Sequence, residues 1–180
     1  LYQQGCLKIR FPRPEPGDRP EAVLLNTSGG VAGGDTLDVA VDLAPGAVAR
    51  ASAQAAERFY RALAGLPPAR VRTAISVGAG ADMEWMPQET ILFDGCALDR
   101  SLDIDVAPDA RFLGIEMLVF GRAAMGERVE AGHLRDRIAI SRGGERLWLE
   151  ANRASHFDRH VGGASGHQPR VRDRCAKRVL

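Results

Sequence analysis

Apolar and polar residues alternate with a period of two through much of this chain. Leu37, Val39, Val41 and Leu43 are separated by Asp38, Ala40 and Asp42, and Leu102, Ile104 and Val106 by Asp103 and Asp105. Val71, Thr73, Ile75 and Val77 alternate with smaller or polar residues. Successive strand side chains point to opposite faces, so each run predicts a strand with one buried face. Each run also stops at chain breakers: Pro45-Gly46, Gly78 with Gly80, and Pro108. Ile138 and Ile140, then Gly143-Gly144, then Leu147 and Leu149 predict a hairpin with a two-glycine turn. Pro87 interrupts the run from Glu84 to Phe93, which predicts an edge strand or a bulge there, because proline cannot donate to a ladder. Phe112 to Phe120 is apolar on both phases and reads as a strand buried on both faces. One segment has a different period: Ala53 to Leu66, with Ala55, Ala56, Phe59, Ala62 and Leu63, carries helical spacing and ends at Gly65 and Pro67-Pro68.

The pattern describes a mainly β protein, and composition narrows the class further. The 180 residues suit one domain, being 45% hydrophobic and 26% charged. No apolar run approaches the ~20 residues of a membrane helix, so the expectation is a cytoplasmic protein without membrane contact. The three cysteines, Cys6, Cys96 and Cys175, have no C-x-x-C spacing and read as free thiols rather than a disulfide framework or a thiolate metal site. The chain begins at Leu1 rather than methionine, which is the mark of a processed, trimmed or incomplete chain. A net charge of +1 conceals an asymmetry. Residues 1–155 carry 18 basic and 21 acidic side chains, whereas 156–180 carry 6 and 2. From Gly162 the second segment has few large apolar residues and no helical or alternating period, and it is expected to be a flexible basic tail. That stretch carries no stacking aromatic, so specific nucleic-acid binding is not expected.

Candidate chemistry begins at Asn26-Thr27-Ser28-Gly29-Gly30-Val31-Ala32-Gly33-Gly34-Asp35. Gly29 to Thr36 matches a phosphate-binding loop except that Asp35 stands where the lysine belongs. A carboxylate there repels the phosphate that the lysine would hold, so nucleotide binding is not expected. The chain has no G-x-S-x-G elbow and no H-E-x-x-H pair. His156 and His160 have the i, i+4 spacing of a helical metal pair but lie in unpatterned polar sequence, while His133 and His167 are isolated. Carboxylates are more informative. Glu116 falls within Phe112 to Phe120, where an unpaired charge costs several kcal/mol. Two solutions are open: an ion pair with Arg111 or Arg122, or a wet internal passage lined by Glu116. Glu150 and Glu127 pose the same question less acutely.

Four segments in order, Asn26 to Asp35, Gln54 to Arg61, Glu84 to Phe93 and Phe120 to Glu127, closely resemble the urease accessory protein family UreD, also called UreH. The resemblance covers about Gly5 to Arg153. Motif positions carried over are Gly29, Gly30, Gly33, Gly34, Asp35, Gln54, Tyr60, Trp85, Pro87, Gln88, Gly121, Arg122, Gly126 and Glu127, with structural or partner-binding roles. The resemblance implies a mainly β, layered, stacked-strand, β-helix-like scaffold with one or two short helices, and it makes a strand through Ala49 to Tyr60 a competitor of the helix. It implies a cytoplasmic, non-catalytic factor that joins UreF, and UreG through UreF, to bring nickel to apo-urease. No cofactor is then tightly bound and no small-molecule substrate is turned over. Nickel is in transit, with Glu116 and Glu150 as candidate transient ligands. Residues 1–155 would form the family domain, incomplete at its C-terminus, and residues 156–180 a tail unlike the family. The alternatives are a small enzyme or nucleotide-binding module built on loop 29–36, or a nonfunctional truncated family fragment.

Overall fold

A computed structural model describes residues 1–156 and 175–179. The strands are β1 Leu7–Arg10, β2 Glu21–Asn26, β3 Thr36–Leu43, β4 Val48–Ala53, β5 Glu57–Phe59, β6 Ala69–Val77, β7 Asp82–Met86, β8 Thr90–Leu92, β9 Ala97–Val106, β10 Arg111–Phe120, β11 Ala131–Arg142, β12 Glu145–His156 and β13 Cys175–Val179. Among the described residues the helical content is one 3-10 turn, Ala123–Met125. No helix there is long and apolar enough to cross a membrane.

The chain winds. Each circuit lays one strand on each of three walls, in parallel with the strand of the previous circuit. One wall stacks β3, β6, β9 and β11, so that Val41, Ile75, Ile104 and Ile140 form one row and Val39, Thr73, Leu102 and Ile138 the next. Another stacks β2, β4, β7 and the first half of β10, with Ala22, Ala51, Trp85 and Gly114 in a row. The short third wall aligns Phe59 of β5, Leu92 of β8 and Phe120 at the end of β10. The period-two alternation explains the interior: the inward phase of the walls is mostly apolar, and the outward phase carries Asp38, Asp42, Arg70, Arg72, Asp103 and Asp105. Two buried clusters fill the interior, one around Ile75, Met83, Trp85, Ile104 and Ile138, the other around Val31, Phe59, Leu92, Leu98, Leu118 and Leu134. The architecture is therefore the expected mainly β stack of layered strands.

Three local expectations are corrected. The segment from Ala53 to Leu66 is not a helix; it finishes β4, forms β5 and continues as loop. Its alanine-rich propensity is outweighed because its backbone is already committed: Gln54 N–H donates to Leu24 O at 2.9 Å, Glu57 N–H to Glu89 O at 3.0 Å and Tyr60 N–H to Val31 O at 2.8 Å. Pro87 does not mark an edge. It lies at the corner between β7 and β8, and β7 is an interior strand flanked by β4 and β10. Of the segment expected to be a flexible basic tail, residues 157–174 and 180 lie outside the described residues, while Cys175–Val179 forms a strand, β13, antiparallel to β10 from Ile115↔Val179 to Val119↔Cys175. The hairpin of β11 and β12 matches expectation, with Gly143 and Gly144 at φ +58° and +85°, as a two-residue turn requires. A register shift falls between Ile140 and Ser141.

Candidate functional site

The four motif segments lie on successive circuits, and the winding brings parts of them together around the third wall. Loop 29–36 runs alongside β5: Val31 N–H donates to Arg58 O at 2.7 Å and Tyr60 N–H to Val31 O at 2.8 Å. Gly30 adopts φ +150° beneath the Tyr60 ring, where a Cβ would stand 2.3 Å from Tyr60 Cε2. Tyr60 Oη donates to Gly29 O at 3.2 Å. The Tyr60 ring stacks on Phe93, centroids 5.1 Å apart, and the Arg122 guanidinium lies 4.7 Å from the Phe93 centroid. Arg122 Nε donates to Glu127 at 3.1 Å, and Gly121, at φ +67°, lets the backbone turn tightly against Glu127 O. Beside this stack Arg61 pairs with Asp94, whose Oδ1 accepts the Glu130 and Ala131 N–H groups at 2.9 and 3.1 Å. The Ala131 and Glu130 backbone donors, assisted by Arg61, hold the Asp94 carboxyl below its ordinary pKa against the opposing effect of burial. Phe93 is buried, whereas Tyr60 is 42% exposed and the Arg122 side chain 51%. The result is an aromatic and cationic surface whose parts come from four successive circuits.

Loop 29–36 is braced as a turn and not opened as an anion cradle. Asp35 Oδ2 accepts the Ala32 N–H at 2.8 Å, and Gly34 N–H donates to Pro67 O at 2.8 Å. A Cβ on Gly33 would meet Ala62 Cβ at 2.9 Å. Asp35 thus uses its charge on the loop's own backbone. The neighbouring Asn26 amide donates to both oxygens of Glu57 at 3.0 Å, yet burial keeps that carboxyl above its ordinary pKa. Gln54 and Gln88 are exposed at wall corners, Pro87 is half-buried, and Gly34 and Gly126 have open space where a Cβ would go.

Trp85 and Glu116 belong to a second constellation, inside the stack. Trp85 Nε1–H donates to Glu116 Oε1 at 2.7 Å, and Arg100 Nη1 donates to Glu116 Oε2 at 2.6 Å. Arg100 Nε donates to Asp136 Oδ1 at 2.8 Å, and the Asp136 side chain is fully buried. Among the described residues Arg100 Nη2 is buried without a partner. Burial pulls the Arg100 pKa down, but Glu116 and Asp136 outweigh it and leave the pKa above its ordinary value. Glu116 is therefore ion-paired, and the partner is Arg100 rather than Arg111 or Arg122. Arg111 instead pairs with Asp82 and Arg122 with Glu127. Arg100 and Asp136 were missed in the sequence, although a signal was there: each occupies the apolar phase of its strand, next to Leu98 and Leu102 or Leu134 and Ile138. The polar character continues to the next strand, where Asn152 faces Asp136 across the ladder and donates to Glu150 Oε1 at 2.6 Å. Glu150 lies opposite Ile138, on the inward phase of β12.

Among the described residues no three His, Cys, Asp or Glu side chains group closely enough to hold a metal ion. His133 Nε2 lies 2.8 Å from Asp99. His156 ends β12, while His160 and His167 lie outside the described residues. Burial pushes the Cys96 thiol up to about 11, so it is not an activated nucleophile.

Comparison with known proteins places these features in a family. The family model described as UreD urease accessory protein matches residues 1–170. A urease accessory protein UreD of Chelativorans sp. is 48% identical over 153 residues, 85% of this chain and 54% of that protein. The one from Rhizobium johnstonii is 48% identical over 155 residues, 86% of this chain and 56% of that protein. That of Rhodopseudomonas palustris is 42% identical over 168 residues, 93% of this chain and 58% of that protein. The chain spans about half the length of these three curated relatives, each of them named a urease accessory protein. On the extent of these matches, the chain belongs to the UreD family of urease accessory proteins.

Proposed function

We propose that this chain serves urease maturation as a scaffold, linking apo-urease to UreF, and through UreF to UreG, and assisting the passage of nickel toward the urease active site. One observation carries the scaffold part. Motif residues far apart in sequence, Gly29, Gly30, Tyr60, Arg122 and Glu127, converge with Phe93 on one preorganised surface whose exposed members are an aromatic ring and a guanidinium. Tyrosine and arginine at a rigid site are the residue types that dominate protein interfaces, since they bury large areas at small entropic cost. The nickel part draws support from the inward-facing polar line of Glu116, Asp136, Asn152 and Glu150, which crosses an otherwise apolar interior toward β12. The Arg100 pairing favours a second reading for Glu116 itself, a structural ion pair.

Co-expression with UreF tests the scaffold. The chain should be captured in a soluble complex, and Arg122→Glu, a change at a half-exposed side chain, should weaken capture about tenfold or more while leaving the circular dichroism spectrum unchanged. Capture unaffected by Arg122→Glu and by Tyr60→Ala would remove the motif surface from the interface. Absence of any UreF or urease association, even with the remaining strands of a relative appended, would end the scaffold reading. For nickel, Glu116→Gln keeps volume and an acceptor for Trp85. It should lower the nickel content of urease matured in a reconstituted system without changing UreF capture; a wild-type yield returns Glu116 to a purely structural role.

A further inference from the structure

We propose that β12 is the interface of a homodimer, in which a second copy of this chain adds its own β12 antiparallel to the first about a two-fold axis beside Trp148. The proposal is independent of the motif surface, because β12 carries none of the motif residues and lies on a different wall.

Strand β12 is the outermost strand of its sheet. It pairs with β11 on one side and, among the described residues, with no strand on the other. An outermost strand presents backbone N–H and C=O groups to any arriving strand, and natural sequences commonly guard such edges with charge. The opposite edge of this sheet is guarded in that way, since Asp38 and Asp42 stand exposed on β3. Strand β12 does the reverse. Leu147, Trp148 and Leu149 follow one another at 60%, 51% and 59% exposure. Consecutive strand residues face opposite sides, so both faces of β12 are apolar and uncovered at this point. On the strand beneath, the consecutive pair Ile138 and Ala139 is buried. The ladder to β11 passes from Trp148 directly to Arg146, which leaves Leu147 without a counterpart there. A contiguous exposed apolar patch on a strand edge marks an interaction surface.

The order of the residues selects a second copy as the occupant. Arg146-Leu147-Trp148-Leu149-Glu150 is symmetric about Trp148 in its apolar residues and opposite in charge at its two ends. An antiparallel copy centred on Trp148 sets the two indoles side by side and each Leu147 against the other copy's Leu149. It also brings each Arg146 to the end where the other copy's Glu150 lies. Every contact then occurs twice about the axis, as an isologous interface requires. Aromatic, aliphatic and opposite-charge neighbours each stabilise an antiparallel pair, whereas a parallel copy in register would bring like charges together. Neither charged residue gives up a present bond. Arg146 donates to Ser141 Oγ through Nε at 3.1 Å and keeps its terminal N–H groups, while Glu150, which accepts from Asn152 at 2.6 Å, is a carboxylate able to accept from several donors. So short a strand contact buries less than the about 1,200 Å² of a stable interface, so the dimer dissociates on dilution through the micromolar range.

Sedimentation equilibrium of the full chain, with tryptophan emission followed on dilution, tests the dimer. The chain has two tryptophans and Trp85 is buried, so a concentration-dependent shift in emission reports on Trp148. A monomer–dimer equilibrium is expected, with emission moving to the red on dilution through the same midpoint. Trp148→Lys should abolish the dimer, and Arg146→Glu, which sets like charges together, should weaken it at least tenfold. A chain still monomeric at about 100 μM overturns the proposal, and blue emission at every concentration would then show that the edge is covered from within the chain. Assembly beyond the dimer, or a dimer indifferent to Trp148→Lys or to Arg146→Glu, overturns it equally. Should Trp148→Lys lose the wild-type circular dichroism spectrum, Leu149→Lys makes the same comparison. Failure of both to fold assigns the apolar triplet to the stability of the single chain and overturns the interface.

Discussion

Gly30→Ala should be much the more damaging of two outwardly similar substitutions in loop 29–36. At Gly30 the added Cβ lands 2.3 Å from Tyr60 Cε2 and 2.9 Å from Arg58 O, at φ +150°. The backbone conformation costs a residue with a Cβ about 1–3 kcal/mol. Relief of the clash requires the Tyr60 ring to leave Phe93, forfeiting about 1 kcal/mol of aromatic stacking. The exposed bond from Tyr60 Oη to Gly29 O goes with it, worth about 0.5 kcal/mol. Together these give about 2.5–4.5 kcal/mol. Gly34→Ala is the control: φ is +89° but nothing lies within 4 Å, so the backbone cost alone applies, about 1–2 kcal/mol. At about 2–4 °C per kcal/mol for a domain of this size, Gly30→Ala should lower Tm by about 10 °C and Gly34→Ala by less than half of that. Thermal unfolding by circular dichroism measures both. A double-mutant cycle with Tyr60→Ala isolates the ring contribution, since the Gly30→Ala penalty must shrink once the ring is gone, leaving the Arg58 O contact. Equal losses for Gly30→Ala and Gly34→Ala, or no coupling to Tyr60, would refute the packing argument and with it the preorganised motif surface.

Two further outcomes follow from the loop and from Asp94. Isothermal titration with magnesium ATP or GTP should show no binding tighter than about 100 μM, because Asp35 is turned onto Ala32 N–H where a phosphate would need a cation; tighter binding abolished by Gly30→Val would revive the enzyme reading. Asp94 has a depressed pKa when folded, so its contribution to stability is present above the ordinary carboxylate range and is lost as pH falls through the folded pKa. Asp94→Asn should therefore cost about 1 kcal/mol near neutral pH, through weaker bonds to the Glu130 and Ala131 N–H groups and loss of the Arg61 pair, and the gap to wild type should close below about pH 4. A gap that persists in acid, measured by urea denaturation across pH, would show that the Asp94 charge is not what anchors that corner.

Alternation was the most legible feature of this fold, and for a definite reason. The runs from Leu37, Val71 and Leu102 each bury one face, and those runs became β3, β6 and β9, neighbours on one wall. Alternation names the buried phase of a strand but not its partner, so the in-register stacking was invisible residue by residue and entered through the family resemblance. The helix expected over Ala53 to Leu66 failed because its spacing reflected chance placement of alanines in a corner whose backbone is fixed by Leu24, Glu89 and Val31. At Glu116 the difficulty was correctly located, in a charge on an apolar strand, while the compensating partner was sought among sequence neighbours. The answer came from Arg100, 16 residues away along the chain and one circuit back. Motif residues were legible as a set, yet their meeting around Phe93 depends on the winding, which no local pattern encodes.

The two ends of the stacked wall system carry a consequence of their own. Four parallel layers in exact register repeat the geometry of a cross-β fibril, in which each layer is a template for the next. At two of the sheet edges strand direction is reversed: β1 runs antiparallel on β2 and β12 antiparallel on β11, whereas β3 and β5 end their walls as parallel strands. A strand arriving at β1 or β12 finds an edge whose hydrogen-bonding pattern does not match an incoming parallel circuit, and at β12 the ladder is further displaced by the shift at Ile140 and Ser141. Reversal thus blunts templating at those two edges by direction, and leaves β3 and β5 as the edges that present a parallel template.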